Sequence, residues 1–466
     1  MPDLTLSRRR LLTVLGMGAG AAALAACTVP TSSGSSGGGG DAGGSGSNLR
    51  ADMKQAALGE IPSQYQGRTN ILFWAPWTGA LFDVLAEAFT MFNDSQSDIY
   101  AAVESVGGYA DLNTQFTAAL QAKAVPDMVC FPELQWLQFY FAGALTPLDP
   151  HFTDEWNLDI YLQNYIGEGK AGEETYVVPF ARSTPLFYYN KTAFSELGLP
   201  VDTQYTWSQL REFGPEIASL TSSGQPVKTF AYGADDAWFA SSWLWAFDGQ
   251  WADGFTVMPE EAPVQDLMTF AKEWVHVDGH AYQAQAAHTD FQTGLVTAVH
   301  GSTASMRGLT DAVDFELGAA FMPGEVNQPP RVPTGGSGFS LVKTDSQERQ
   351  DATAELLKFL GTPEMSGWYH MNSGYVPIVT AARDEPEVQE LHASNPNFTV
   401  AIDQLENAQT VAPALWFQAG VQALGQAFAT LTGDDADVQA TIDTLRGELE
   451  GVLEDNRDDL EALGIA

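Results

Sequence analysis

The chain has 466 residues, a formal net charge of −38 at pH 7 and 12 tryptophans. So negative a surface repels nucleic acid and anionic lipid, and we expect no nucleic-acid partner. The length exceeds what one hydrophobic core normally supports, so we expect two lobes. Cys27 and Cys130 are the two cysteines, and with Cys27 modified as argued below no intramolecular disulfide could form.

The N-terminal segment has the layout of an export signal. Three arginines follow Ser7 and lead into an apolar run, 11–26, that is shorter than the about 20 residues of a membrane-spanning helix. The arginines indicate a twin-arginine type, and "LAAC" resembles a lipobox in which Cys27 carries lipid. We expect a signal over 1–27 and lipid anchoring at the extracellular face of the cytoplasmic membrane. An ordinary secretory signal with an incidental thiol is the alternative.

The next segment, residues 28–67, is rich in Gly and Ser at its start and holds little that could form a core. It predicts a flexible linker with an r.m.s. span of about 35 Å. From Ile71 onward, apolar runs alternate with helical periodicity, which indicates an α/β fold. The first lobe is predicted to begin with a strand (70–77), a helix (81–93), a helix ending before Pro126, and a buried strand (127–131).

The middle and C-terminal parts continue the alternation. Residues 175–194 form two extended runs that could cross between lobes, and a helix with Thr206 as N-cap follows, broken at Pro215. "LGAAFMP" and "GGSGFSLVK" are predicted strands, and two helices follow, with Thr362 and Pro363 opening the second. The stretch 436–455 is a predicted helix with one apolar stripe.

Four stretches in a fixed order carry a family resemblance: "VPFARSTPLFYYNKTAFSELGLP" with "TWSQL", "AFMPG", "PTGGSGFSLVK" and "MNSGYVPI". They resemble the extracellular solute-binding proteins of ABC importers, in the group that binds carbohydrates and glycerol phosphates. The resemblance implies a type II periplasmic-binding-protein fold, whose two discontinuous lobes close over a small ligand. It implies lobe 1 over 68–182 and 303–338, lobe 2 over 186–300 and 340–466, and a monomer that docks on an ABC permease.

The same resemblance implies ligand contacts at matching positions. These are Tyr109 in "GGYADLN", Glu133 in "CFPELQW", Ser183 in "ARSTP", Gly335 and Gly336 in "PTGGSG", and Tyr375 in "SGYVPI", with a looser match that falls among Ser302, Thr303 and Ser305.

One departure from the glycerol-phosphate-binding members bears on the ligand. Trp416 stands where those proteins place an arginine that pairs with phosphate, and an indole cannot supply the bidentate donors of a guanidinium. Arg182 and Arg307 are the nearby candidates to replace it, although either could be a surface residue. The departure argues against a phosphomonoester.

Sugars are bound by aromatic faces together with hydroxyl-binding groups. Glu133 and Asp236 are candidate acceptors, and Trp74, Trp238 and Trp416 are the preferred platforms. The full set of candidate tryptophans is Trp74, Trp77, Trp136, Trp238, Trp243, Trp245 and Trp416, each of which could instead lie in a core.

We therefore expect a binding protein, without cofactor or metal, for an oligosaccharide, a glycoside or another polyol. Glycerol 3-phosphate or a glycerophosphodiester is the alternative ligand class. A secreted glycan-active enzyme is a distant third, because adjacent acidic pairs such as Asp235-Asp236 point apart. His276, His280 and His288 do not form a metal motif, since Gly279 interrupts their helix.

Overall fold

The computed structural model of the protein describes residues 53–233 and 237–465. The signal, Cys27, residues 28–52 of the linker and Asp236 lie outside the described residues. No helix within them combines the length and the hydropathy of a membrane-spanning segment.

The linker prediction is wrong for residues 53–67, which are folded onto the first lobe. Met53 is buried, and the strand Lys54–Gln55 pairs in parallel with Ala124–Val125. The ring of Tyr65 stacks on Tyr100 at a centroid distance of 5.2 Å. These few apolar side chains are enough to hold the segment on the first lobe, because they add to a core that other residues already form.

Eleven strands form the two main sheets, and each is bounded by the residues that follow. They are β1 Thr69–Ala75, β2 Ile99–Ser105, β3 Met128–Pro132, β4 Leu145–Thr146, β5 Val178–Ser183, β6 Pro185–Asn190, β7 Lys228–Tyr232, β8 Ala281–Gln283, β9 Val296–Ser302, β10 Leu317–Ala320 and β11 Gly335–Val342. Two-residue strands add short ribbons elsewhere.

The first sheet has the order β2-β1-β3-β11-β4, and β5 also pairs with β11. Strands β1, β2 and β3 are parallel, whereas β11 runs antiparallel to β3, β4 and β5. The second sheet has the order β8-β7-β9-β6-β10. Its first three strands are parallel, and β6 is antiparallel to both of its neighbours.

Helices cover both sheets and connect their strands. Their bounds are α1 Gly79–Ser95, α2 Tyr109–Ala122, α3 Leu137–Phe141, α4 Lys191–Glu196, α5 Trp207–Glu212, α6 Gly214–Ile217, α7 Ala237–Ala246, α8 Glu261–His276, α9 Ala287–Gln292, α10 Ser305–Ala312, α11 Gln347–Leu360, α12 Pro363–Ser373, α13 Pro386–Ser394, α14 Asn397–Asp403, α15 Gln418–Asp434, α16 Val438–Asp455 and α17 Arg457–Ala462.

Local sequence signals set several of these bounds as predicted. Thr206 caps α5 through a capping box with Gln209, and the chain breaks between α5 and α6 just before Pro215. Thr362 caps α12, with Pro363 as its first residue. At Thr206 and at Thr362 the side-chain oxygen accepts from a backbone N–H that the helix itself leaves unpaired.

Each sheet carries an apolar core on both faces, so the α/β, two-lobe prediction is confirmed. Phe73 and Phe339 lie in one core of the first sheet and Phe131 in the other. Phe187 and Leu186 lie in the two cores of the second sheet.

The lobe boundaries differ from the predicted ones. Helix α10 and strand β10, assigned to lobe 1, pack with the second sheet, where β10 pairs with β6. Helices α11 and α12, assigned to lobe 2, bury Leu356 and Met365 in a core of the first sheet. From β11 to Ala382 the chain packs mainly with the first sheet, although Val376 lies in a core of the second sheet.

Candidate ligand site at the lobe junction

The two sheets meet where β5 passes into β6. Thr184 is the single residue between the two strands and is fully buried. Its N–H donates to the hydroxyl of Thr303 (3.1 Å), which donates in turn to the Thr184 carbonyl (2.8 Å). Gln404 adds a bond to the Thr184 hydroxyl (3.1 Å). The crossing is thereby fixed to the second lobe.

A glycine pair lies directly beside this crossing. Gly335 is in register with Ser183, and Gly336 with Arg182. A Cβ on Gly335 would lie 2.0 Å from Cζ2 of Trp238, and one on Gly336 would lie 1.9 Å from the Ala181 carbonyl oxygen. Only glycine leaves room for this approach. It brings Trp238, from helix α7 of the second lobe, onto a strand of the first.

Three aromatic side chains converge on the first-lobe side. The Trp77 indole N–H donates to the Tyr375 hydroxyl (3.0 Å), and the Trp77 ring lies 6.3 Å from the rings of both Tyr109 and Tyr375. Tyr109 donates to the hydroxyl of Ser337 (3.2 Å). Burial raises the pKa of both tyrosines above its ordinary range, so both phenols remain protonated hydrogen-bonding groups.

A buried ion pair lies behind the glycine pair. Arg182, 3 % exposed, pairs with Glu168, 7 % exposed. The other carboxylate oxygen of Glu168 accepts from Thr334 and, at 3.3 Å, from Thr410. The guanidinium also lies over the ring of Tyr165, 4.4 Å from its centroid. The charge of Arg182 is thus compensated within the protein.

Glu133 follows β3 and has an unusual environment. Its backbone has a φ of 36°, which is uncommon for a residue other than glycine, and its N–H donates to the Gly336 carbonyl (3.2 Å). No described residue is recorded as donating to its carboxylate. Burial, with a smaller contribution from Glu168 and against the effect of Arg182, raises the pKa of Glu133 to about 8.

These side chains form the junction site, which draws on both lobes. Its members are Trp77, Tyr109, Glu133, Glu168, Arg182, Ser183, Trp238, Thr334, Gly335, Gly336, Ser337 and Tyr375. Trp77, Tyr109 and Glu133 follow the carboxyl ends of the parallel strands β1, β2 and β3, the edge where open α/β sheets bind ligands.

A sequence profile of the family described as bacterial extracellular solute-binding protein matches residues 87–399, more than half of the chain. The chain belongs to this family. Its fold is that of the solute-binding proteins of ABC importers.

Named relatives fall within the same class. The glycerol-3-phosphate-binding periplasmic protein UgpB of Yersinia pestis is 26% identical over 365 residues, which are 73% of this chain and 81% of the relative. The UgpB structure from Mycobacterium tuberculosis, in complex with glycerophosphocholine, superimposes with a TM-score of 0.78 at 29% identity, covering 83% of this chain and 99% of that one. The GacH receptor of Streptomyces glaucescens superimposes with a TM-score of 0.72 at 17% identity, covering 83% and 99%; this second likeness shows the fold.

Not every predicted site residue of this solute-binding protein joins the junction site. Trp416 donates to the Val411 carbonyl (2.9 Å) and packs against cores of both lobes, which places it where the lobes meet. Trp74 packs instead against the core of the first sheet that contains Phe131. Ser302 accepts from the N–H of Ala304 (3.2 Å), and Ser305 begins α10 beside the crossing.

Other candidates are accounted for by packing or by ion pairs. Trp136, Trp243 and Trp245 are core residues. The alternative that Arg182 is a surface residue is wrong, because Arg182 is buried and forms an ion pair with Glu168. Arg307, in contrast, is 45 % exposed and pairs with Asp311 (2.9 Å).

Sequence reasoning missed Glu168, Thr334 and Ser337 and did not prefer Trp77. Glu168 lies in a turn far from any motif, and its partner Arg182 is adjacent only in the fold. Trp77 could have been found, because it comes two residues after the first strand of the sheet, at the edge where ligands bind.

Proposed function

We propose that this solute-binding protein captures an uncharged carbohydrate, an oligosaccharide or a glycoside, at the junction site and delivers it to an ABC permease. The observation that carries the proposal is the state of Arg182: the guanidinium of the site is paired with Glu168.

The charges of the junction site favour a neutral ligand. A phosphate removed from water needs donors that compensate its charge. Arg182 is paired with Glu168, Arg307 is directed to Asp311 on the surface, and Trp416 replaces the arginine of the glycerol-phosphate binders.

The remaining groups suit hydroxyls and sugar faces. With a pKa of about 8, the Glu133 carboxyl is mostly protonated at neutral pH and can both donate to and accept from hydroxyls. Trp77, Tyr109 and Tyr375 supply aromatic surface with polar tips, and such surfaces pack against the C–H faces of a sugar ring.

Glycerophosphocholine is the second candidate ligand. The mycobacterial relative of known structure is in complex with it. Its net charge is zero, and the aromatic group of Trp77, Tyr109 and Tyr375 beside Glu133 would suit a trimethylammonium group.

Isothermal titration distinguishes the candidates. We expect maltose, maltotriose or cellobiose to bind at micromolar or tighter Kd, and sn-glycerol 3-phosphate not to bind. Recovery of the intact oligosaccharide after incubation would separate binding from hydrolysis. If glycerophosphocholine binds and none of the sugars does, glycerophosphocholine replaces the neutral carbohydrate as the proposed ligand.

A substitution at Trp416 tests the charge argument. Trp416→Arg restores the missing cation, so we expect it to weaken sugar binding and to create measurable binding of sn-glycerol 3-phosphate. Trp416→Phe is the steric control and should create no phosphate binding. If Trp416→Arg folds but does not bind sn-glycerol 3-phosphate, Trp416 is not the residue that excludes this ligand.

The lipid anchor at Cys27 is part of the same proposal. We expect mass spectrometry of the membrane-extracted protein to find acyl chains on Cys27, and Cys27→Ser to release the protein to the medium. An unmodified Cys27 would favour the ordinary secretory signal. Gel filtration should show a monomer.

A further inference from the structure

Two histidines lie directly behind Tyr375. His370, on α12, is 1 % exposed, and its Nδ1 lies 2.6 Å from the carbonyl oxygen of Tyr375. Its Nε2 lies 2.9 Å from Nε2 of His392, on α13. The pair therefore links the backbone of a junction-site residue to a neighbouring helix.

The chemistry of the two contacts fixes where the protons are. A carbonyl oxygen can only accept, so Nδ1 of His370 must carry a proton. In the neutral ring Nε2 then has the lone pair, and it accepts from Nε2–H of His392. A second proton on His370 would set two N–H groups against each other until His392 shifted its own proton to Nδ1, and it would place a cation on a side chain that is 1 % exposed. The arrangement therefore favours a neutral His370.

The surroundings oppose protonation. Burial, together with His392 and Arg383, lowers the pKa of His370 to about 4 against the opposing effect of the Tyr375 carbonyl. Burial and Arg383 also lower the pKa of His392, whereas Asp403 raises it. Arg383 comes from the turn before α13 and Asp403 from the end of α14. The ring of Phe398 packs edge-on against His370 at 5.7 Å.

The segment held by His370 reaches both lobes. Val376 N–H donates to the Arg182 carbonyl (2.9 Å), and the Tyr375 hydroxyl accepts from Trp77 (3.0 Å). Gly374 has a φ of 84°, and a Cβ there would lie 2.8 Å from the Thr303 carbonyl oxygen of the second lobe. A displacement of the Tyr375 carbonyl would disturb all of these contacts.

We propose that His370 and His392 form a proton-sensitive brace that positions Tyr375, so that acidification frees the 374–376 segment and weakens ligand binding. The proposal rests on the proposed function in one respect: that the junction site, including Tyr375, binds the solute.

The sign and size of the expected pH dependence follow from the linkage between proton binding and the braced state. A histidine whose pKa is lowered supports the braced state fully above the ordinary value of about 6.5, and this support is lost as the pH falls toward about 4. If one proton enters when the brace opens, affinity falls at most about tenfold per pH unit within that window.

Nuclear magnetic resonance of the full chain with ¹⁵N-labelled histidine tests the brace without any ligand. We expect His370 as the Nδ1–H tautomer, titrating below pH 5, and faster hydrogen exchange of the Val376 amide at pH 5 than at pH 7 after correction for the intrinsic rate. A His370 that carries its proton on Nε2, or titrates near 6.5, overturns the proposal.

Variants test whether the histidines cause the pH dependence. His370→Asn keeps a donor near Nδ1, and His392→Gln keeps one at Nε2, but neither amide titrates. We expect both to flatten the pH dependence of Val376 exchange. His276→Gln is the matched control, because His276 contacts the Leu431 carbonyl (2.9 Å) away from the junction site, and it should keep the wild-type profile. His392→Gln, at a partly exposed position, serves if His370→Asn does not fold.

Titration with maltose and with glycerophosphocholine at pH 7.5, 6 and 5 completes the test. For whichever probe binds, Kd should rise with acid in the wild type and in His276→Gln, and much less in His392→Gln. The same rise in His392→Gln overturns the proposal. If neither probe binds at pH 7.5 while the exchange results hold, the proposed ligand class fails and the brace stands.

Discussion

Asp127 and Glu133 flank the two ends of the same strand, β3, and their carboxylates have opposite environments. Asp127 accepts from Gln55 (2.5 Å), from the N–H of Leu72 (2.9 Å) and from Arg349 (2.9 Å). Glu133, at the other end, has no donor recorded among the described residues.

Burial raises the pKa of both carboxyls, but the consequences differ. At Asp127 the three donors oppose the rise, whereas at Glu133 the pKa reaches about 8. A buried acid that is saturated with donors holds the fold together, and an unsaturated one retains its hydrogen-bonding capacity for a ligand. We call the amino end of β3, at Asp127, its structural end, and the carboxyl end, at Glu133 beside the proposed ligand site, its binding end.

The largest effect is expected at the structural end. Arg349→Ala removes the charged partner of Asp127, which is 2 % exposed in its side chain, and leaves a buried carboxylate with two neutral donors. We expect the free energy of unfolding to fall by about 3 kcal/mol, measured by urea denaturation at pH 7. The control Arg307→Ala breaks an exposed pair and should cost less than about 1 kcal/mol. Equal losses of unfolding free energy in the two variants would show that the buried pair at Asp127 stabilises the fold no more than an exposed pair does.

The next effect is expected beside the binding end. Gly335→Ala places a methyl group against Trp238, and the forced shift should cost about 2 kcal/mol of unfolding free energy. Adding Trp238→Ala should recover part of that loss in a double-mutant cycle. Gly451→Ala, in α16 with no neighbouring atom within 4 Å of the new Cβ, should instead stabilise slightly.

Glu133→Gln tests the pH dependence of the binding end. A carboxyl whose pKa is raised supports the folded state at low pH, and that support is lost as the pH rises through about 8. At pH 9 we therefore expect Glu133→Gln to be more stable than the wild type by about 1–2 kcal/mol, with no difference at pH 4. The exposed Glu355→Gln should show no such divergence. Urea denaturation at both pH values is the measurement.

The smallest effect is expected for Gln55→Ala. It removes one donor to Asp127 while Leu72 and Arg349 remain, so a loss of about 1 kcal/mol of unfolding free energy is expected. Gln347→Ala, at an exposed pair with Asp351, is the control. No loss at Gln55 would mean that the segment before β1 does not contribute to the structural end of β3.

Local signals in the sequence predicted most of the fold. Thr206, Pro215 and Thr362 marked helix bounds because caps and prolines act on residues within one turn. The lobe assignment failed at α10, α11 and α12 because periodicity shows that a helix has an apolar face but not which sheet covers it.

The candidate site, like the fold, could be predicted only where the signal is local in the sequence. Tyr109, Glu133, Gly335 and Tyr375 were predicted from sequence motifs that resemble those of a family. The pairing of Arg182 with Glu168 joins residues that are adjacent only in the fold, and the parallel pairing of Lys54–Gln55 with residues 124–125 likewise depends on distant segments. Neither leaves a local pattern in the sequence.

The pairing of Lys54–Gln55 with the strand Ala124–Val125 has a mechanical consequence. A pull transmitted along the chain from residues before Met53 reaches the first lobe through these few hydrogen bonds, and it bypasses Thr184 and the other crossings. Tension on the chain before Met53 would thus act on the first lobe alone, and the second lobe could rotate relative to the first without opposing that tension.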